Sequence, residues 1–369
     1  MKWLFVLCAT AAFAQAPGSF ELLAKYKNLG GLVASAVGPG PTPGSQRFYQ
    51  SYLYIDNTID VVAIDPATGK VDVFPNPAPT ESGARCMAVG PDGNVYLGTL
   101  PGAHLLKLDV KAGKLIDLGR PASTESYIWD INFAPDGKLY GATYPQSKLI
   151  RYDPKTGKSE DLGRMDPVEQ YAHFVAGSDD GFVYIGIGTS KANIAAYRVS
   201  TGEHREIVPA EFQVVGQGNV YRGKDGKVYG TVPGHTFRMD GWTAVPIDAK
   251  DAAPSGKDNR AAEAKPVGYE GNWLPLFRIG FAPDGELYGS SILPIDLVKL
   301  DRSKHALLDL GRIGGGEVYS FLAHDKRLIM AAYAGDAPLM LFDPAQPFSE
   351  LRVRDLSLSR DSSSSRCKP

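Results

Sequence analysis

PDGKLYGATYPQSKLIRYDPKTGKSEDLG, residues 135–163, decides the fold. Asp136-Gly137 is a tight-turn pair, because Gly accepts positive φ and Asp caps its own turn. An apolar strand, Ile131-Asn132-Phe133-Ala134, leads into it. Leu139 to Thr143 reads as a second strand and Lys148 to Tyr152 as an alternating third. Asp153-Pro154-Lys155-Thr156-Gly157-Lys158 is the next turn, and a fourth strand ends in Asp161-Leu162-Gly163-Arg164. The stretch therefore describes four short antiparallel strands in about 44 residues.

Working outward, the same unit recurs. Asp-Gly followed by an apolar-Tyr pair stands at Asp92, Asp136, Asp180, Asp225 and Asp284, spaced 44, 44, 45 and 59, and a degenerate copy at Asp325 follows 41 later. The Asp-Leu-Gly-Arg ending returns at Asp117 and Asp309. A further unit from about Gly31 to Phe74 precedes them. A four-stranded unit cannot bury both faces alone, whereas a ring of such units can. The expected fold is all-β: a seven-bladed β-propeller of four-stranded antiparallel blades. One domain over 20–356 is expected, with Phe20 to Lys27 as a strand that closes the ring.

The ends and the composition bound the setting. Lys2, the apolar run Trp3 to Ala11 and the small-x-small site Ala12-Phe13-Ala14 read as a signal peptide over 1–14, so a periplasmic or extracellular protein is expected. The Ser-rich stretch 357–369 reads as a disordered tail. Cys86 and Cys367 remain after the signal, and a disulfide between them is one option in an oxidising compartment. The net charge is −2, with no basic patch, which argues against nucleic acid as a partner. No run reaches the length of a transmembrane segment.

The site is expected where the loops vary. Turns joining strands one to two and three to four are short and repetitive, while loops between strands two and three, and between blades, differ in length and chemistry. Counting seven residues back from each turn Asp gives Arg85, Trp129, His173, Gly218, Phe277 and Val318 at the start of the inner strands. Nine back gives Gly83, Tyr127, Tyr171, Gly216, Pro275 and Gly316, and eleven back gives Glu81, Glu125, Glu169, Val214, Trp273 and Gly314. Just before the third strands stand His104, Lys148, Asn193, His235 and Asp296, and Arg278 and Tyr319 lie one step inside the channel edge. Unlike residues at one register position fit a site at the mouth of the central channel. The long fourth-to-fifth spacing places a Lys-, Ala-, Asp- and Pro-rich insertion, Asp248 to Glu270, over that face.

These residue types suit a sugar. Trp129, Tyr127, Tyr171, Trp273 and Tyr319 offer flat apolar faces, and His104, His235, Glu125 and Glu169 offer hydrogen bonds. Arg85, Arg278 or Lys148 would pair a carboxylate, so the expected partner is an acidic oligosaccharide or polysaccharide. β-Elimination from a uronic-acid-containing glycan needs a neutraliser, a base and a proton donor, roles assigned here to Arg85, His173 and Tyr171. Two other classes stand beside this carbohydrate lyase: a non-catalytic periplasmic binding or assembly propeller, and a metal-dependent lactonase. No cofactor is implied by motif, although Glu and His in the channel leave room for a calcium or zinc ion.

The blade pattern of residues 135–163 resembles the secreted bacterial propellers grouped with gluconolactonase-like and virginiamycin-lyase-like proteins, and also propeller polysaccharide lyases. The resemblance is architectural and covers nearly the whole mature chain. It implies a propeller with its site over the channel. The Trp-Asp blade ending of WD40 repeats, the Asp-box of sialidases, the Glu-Gly-Pro of gluconolactonase-like proteins and the Trp-Phe-Thr pattern of virginiamycin lyases are all missing, so no family site residue transfers by position.

Overall fold

The computed structural model describes residues 17–24, 32–52, 60–65, 71–253, 278–283, 285–290, 295–301, 306–314, 317–333, 339–347 and 352–353. The expected signal segment, Trp273, Cys367, the tail and most of the insertion after Asp248 lie outside them.

Seven sheets form, six of four strands and one of five. Blade 1 runs from Leu32–Pro39 to Val71–Pro75. Blade 2 consists of Gly83–Val89, Val95–Leu100, Leu105–Asp109 and Lys114–Asp117. Blade 3 consists of Tyr127–Phe133, Leu139–Tyr144, Lys148–Asp153 and Lys158–Arg164. Blade 4 consists of Ala172–Gly177, Phe182–Ile187, Asn193–Arg198 and His204–Glu206. Blade 5 runs from Asn219–Arg222 to Thr243–Ile247 and blade 6 from Arg278–Phe281 to Ala306–Gly314.

Blade 7 closes the ring. Its strands Glu317–His324, Arg327–Tyr333 and Leu339–Pro347 are joined by the N-terminal strand Pro17–Ala24, antiparallel to the third, and then by Arg352–Val353, parallel to that N-terminal strand. First strands of neighbouring blades pack on one another from blade 1 through blade 5, between blades 6 and 7, and between blades 7 and 1, so they form the inner wall. The chain is a seven-bladed β-propeller.

The core lies between the blades. Tyr49, Leu97 and Leu106 share one apolar cluster across blades 1 and 2; Ile128, Leu139 and Leu105 share another across blades 2 and 3. Every residue of Phe182–Ile187 is buried, which explains an apolar run without alternation: both faces of the strand are covered. Among the described residues no helix is long and apolar enough to cross a membrane.

The turn motif has a structural reason. Asp136 accepts the Lys138 backbone N–H at 3.0 Å and the Tyr140 hydroxyl at 2.9 Å, while Gly137 sits at φ 77°. Asp92 and Tyr96 (2.8 Å) and Asp225 and Tyr229 (2.7 Å) repeat the pair. The tyrosine recurs because its hydroxyl, buried at the blade seam, needs the turn carboxylate. Blade 4 departs: Ser178 takes Asp180, and the Tyr184 hydroxyl donates to the Gly241 carbonyl of blade 5.

Candidate functional site at the inner-strand bulges

The inner strands of blades 1, 2, 3, 4 and 7 carry the same irregularity, in blade 1 between Leu32 and Ala34. In blades 2 to 4, pairing with the second strand skips one residue between Ala84 and Cys86, between Ile128 and Asp130, and between Ala172 and Phe174. The skipped residues are Arg85, Trp129 and His173. A β-bulge leaves its extra residue out of the ladder and re-aims its side chain, so the register position chosen from sequence is a bulge. In blade 7 the bulge falls on Tyr319, between Val318 and Ser320, not on Val318 as counting back predicts. The reason is the turn: His324 pairs with Arg327 across the two residues Asp325-Lys326, with Asp325 at φ 51°, a tighter connection than the Asp-Gly turns.

The bulged side chains of blades 2 to 4 meet. The Arg85 guanidinium carbon lies 4.0 Å from the Trp129 ring centre. Trp129 stacks with Tyr127 at 5.9 Å and meets Tyr171 and His173 edge-on at 5.4 and 5.7 Å. Tyr171 and His173 lie parallel, 5.0 Å apart with 5° between planes. Tyr144 completes the group, its ring stacked on that of Tyr171 at 4.2 Å. Sequence reasoning missed Tyr144. It ends a second strand, and its only signal is that it is directly paired with Tyr127.

The support is buried. Behind Trp129, Asp130 accepts the Val175 N–H at 3.1 Å and Asn132 donates to the Val175 carbonyl at 2.8 Å. Both bonds tie blade 3 to blade 4 beside the Trp129 and His173 bulges. His173 is only 6% exposed and its Nε2 donates to the Gly188 carbonyl at 2.9 Å. Burial pushes its pKa down to about 4, and the Arg85 charge adds to this, against the Gly188 hydrogen bond and Glu169. Burial, then Tyr144 and Tyr127, push the Tyr171 phenol up, with Arg85 opposing. At neutral pH the group thus presents a guanidinium, a neutral imidazole and a protonated phenol against aromatic faces.

Other residues expected at the rim have different posts. Glu125 is fully buried and accepts from Thr143 Oγ1 (2.7 Å), Gln146 N (3.1 Å) and Thr124 Oγ1 (3.3 Å). Glu169 accepts from Lys191 N at 2.8 Å and Thr189 Oγ1 at 3.2 Å, and Glu81 holds Gly102 N at 3.0 Å. Each carboxylate braces the loop between strands two and three of its own blade instead of facing a sugar. The Asp-Leu-Gly-Arg endings belong to the same device: Arg120 donates to the Glu125 carbonyl at 2.9 Å and Arg164 to the Glu169 carbonyl at 3.1 Å.

The other two histidines counted at the rim hold partners of their own. His104 Nδ1 lies 3.0 Å from both Asp117 oxygens, and Lys148 Nζ lies 2.6 Å from Asp161, each pairing a third strand to a fourth. His235 is exposed, with its ring 4.4 Å from Phe212. The physical reason is position: third strands are two strands removed from the inner wall. Arg278 and Tyr319 are placed by their backbones on the inner strands of blades 6 and 7. Cys86 is buried beside Arg85, its Sγ 3.5 Å from the Ile128 carbonyl oxygen. Among the described residues no three His, Cys, Asp or Glu side chains come together as a metal-ligand set.

Among solved structures, the chain is similar to virginiamycin B lyase from Staphylococcus aureus, at 14% identity and TM-score 0.62, covering 88% of this chain and 99% of that one. A streptogramin B lyase aligns at 13% identity and TM-score 0.60, over 89% and 98% of the two chains. The WD40 repeats of RRP9 align at 12% identity and TM-score 0.58, over 89% and 99%. At these identities the likeness is one of fold, shared by an enzyme and a WD40 protein alike. No protein-family model matches the chain, and no curated protein matches it.

Proposed function

We propose that the chain is a secreted carbon–oxygen lyase acting on a uronic-acid-containing glycan, with its site at the bulges of blades 2 to 4. One observation carries this reading: a guanidinium and a neutral imidazole at equivalent positions of a repeat meet a protonated phenol in one aromatic group. Arg85 pairs the uronate carboxylate, which makes the neighbouring C–H acidic. His173 takes that proton, and the electron pair forms the ring double bond as the glycosidic C–O bond breaks. Tyr171 gives its proton to the departing oxygen, and the Arg85 charge favours the phenolate left behind. Trp129 and Tyr127 hold the sugar's C–H face. The carboxylate also offsets the Arg85 charge beside His173, which raises the imidazole's basicity once substrate is bound. The N-terminal signal pattern supports export, where such glycans are met.

Purified protein incubated with pectate, alginate and glycosaminoglycans should release unsaturated products absorbing in the ultraviolet, and His173→Gln should abolish the release. Absence of such products across the panel ends the lyase reading. One observation favours a second reading, a binding propeller: the imidazole of the ligand-free site is a weak base. Saturable calorimetric binding of an acidic oligosaccharide without turnover would decide for it.

A further inference from the structure

We infer that Gly188 is the positioning residue of this site: its backbone fixes His173 as the Nε2–H tautomer and seats Tyr171, leaving Nδ1 to take the substrate's proton. The inference deepens the lyase reading and rests on it for the last step only.

Position 188 follows 100 and 144 at equal intervals of 44 residues, so Gly188 stands where blades 2 and 3 carry Leu100 and Tyr144. Its φ is +134°, a conformation L side chains rarely adopt. A Cβ there would lie 2.5 Å from the Gly216 carbonyl oxygen and 2.7 Å from that of Lys191. This backbone makes two bonds at once. The Gly188 N–H donates to the Tyr171 carbonyl at 3.2 Å, and the Gly188 carbonyl accepts from His173 Nε2 at 2.9 Å. A carbonyl only accepts, so Nε2 holds the proton. A neutral imidazole has one N–H, so Nδ1 holds the lone pair.

Blade 5 locks the arrangement. Gly218 N donates to Ile187 O at 2.8 Å and Gly216 N to Thr189 O at 3.0 Å, gripping the chain on both sides of Gly188. Gly216 and Gly218 occupy the register positions of Tyr171 and His173. A Cβ on Gly218 would lie 1.8 Å from the Asn193 carbonyl oxygen, so only bare backbone fits this seam. Blade 5 therefore adds no side chain to the group and supplies its support instead. In the reaction, Nδ1 gains the proton α to the carboxylate, and the resulting imidazolium strengthens its Nε2–H bond to Gly188.

The test is nitrogen NMR of the full-length, ligand-free protein labelled at histidine. The expected result is one tautomer for His173 near pH 7, with Nε2 protonated and Nδ1 bare. An Nδ1–H form, or a mixture, overturns the inference. Gly188→Ala should convert the single form into a mixture, and an unchanged single tautomer in that variant would assign the control elsewhere. Should the variant not fold, the measurement on the unaltered protein still decides. The two readings fail separately: a single Nε2–H tautomer with no product from any acidic glycan ends the lyase, while product formation with mixed tautomers ends the role of Gly188.

Discussion

Two rings of residues, four positions apart on the same blades, teach opposite lessons. Glu81, Glu125 and Glu169 are identical and buried, and each accepts the backbone of its own loop. Arg85, Trp129 and His173 are all different, sit on bulges and touch one another. The first ring repeats because every blade has the same problem, a loop whose N–H groups need an acceptor. The second varies because a bulge leaves the ladder free of any demand on its side chain.

The largest effect should separate the rings. Glu125→Ala removes the carboxylate that accepts from the Gln146 N–H and the buried Thr143 hydroxyl, and should cost about 4 kcal/mol. Trp129→Ala removes a half-buried ring and should cost less than half of that in stability while abolishing binding of acidic sugar. Urea unfolding and calorimetric titration of both variants measure the two quantities. Equal stability losses would erase the distinction between brace and site.

Much of this contrast is legible in sequence. The Asp-Gly turns give the period, the period gives seven blades, and the register picks out Arg85, Trp129 and His173. What sequence hides is direction. Glu125 and Trp129 are both near the start of an inner strand, and only the loop's unmet N–H groups decide that one turns inward. The bulge is hidden too, because it is a mismatch between two strands and not a property of either. Tyr144 joins through strand pairing, which a list of positions counted back from Asp136 does not contain. His104 and Lys148 show the limit of counting, since equivalence along the chain carries no distance from the axis.

His173 sharpens the comparison through pH. Its folded-state pKa is depressed to about 4, with burial the largest cause, while the unfolded chain titrates at 6.5. Between those values the unfolded chain binds a proton that the folded one refuses. Stability should therefore fall as pH drops through this window and level off below it, by roughly 3 kcal/mol in total. His173→Gln keeps an amide donor for Gly188 and has nothing to titrate. Subtracting its stability–pH curve from that of the unaltered protein isolates the ring from the carboxylates. A difference flat between pH 4 and 6.5 would mean that the imidazole is solvated.

Arg85→Met tests the cation on the Trp129 face with a smaller expected change. Its contact is half exposed, so losing it should cost about 1 kcal/mol. Carboxylated ligands should lose far more affinity than their neutral or reduced counterparts, because the guanidinium is assigned to the uronate. Equal losses for charged and uncharged sugars would remove that assignment and leave Arg85 as a packing residue.

The smallest effect concerns a residue that sequence alone puts at the rim. Lys148 pairs with Asp161 at 2.6 Å, with 13% and 33% of the two side chains exposed, between the third and fourth strands of blade 3. Partial exposure lets solvent screen the pair, so Lys148→Met should cost only about 0.5 kcal/mol. The methionine keeps the stem that lies along the strand, and Asp161 keeps the Gly163 N–H as a donor at 2.9 Å. Turnover and KM on any acidic glycan should be unchanged, because no residue of the aromatic group leans on Lys148. A rise in KM with unaltered stability would instead bring the third-strand ends into the site and widen it from the bulges to the whole rim.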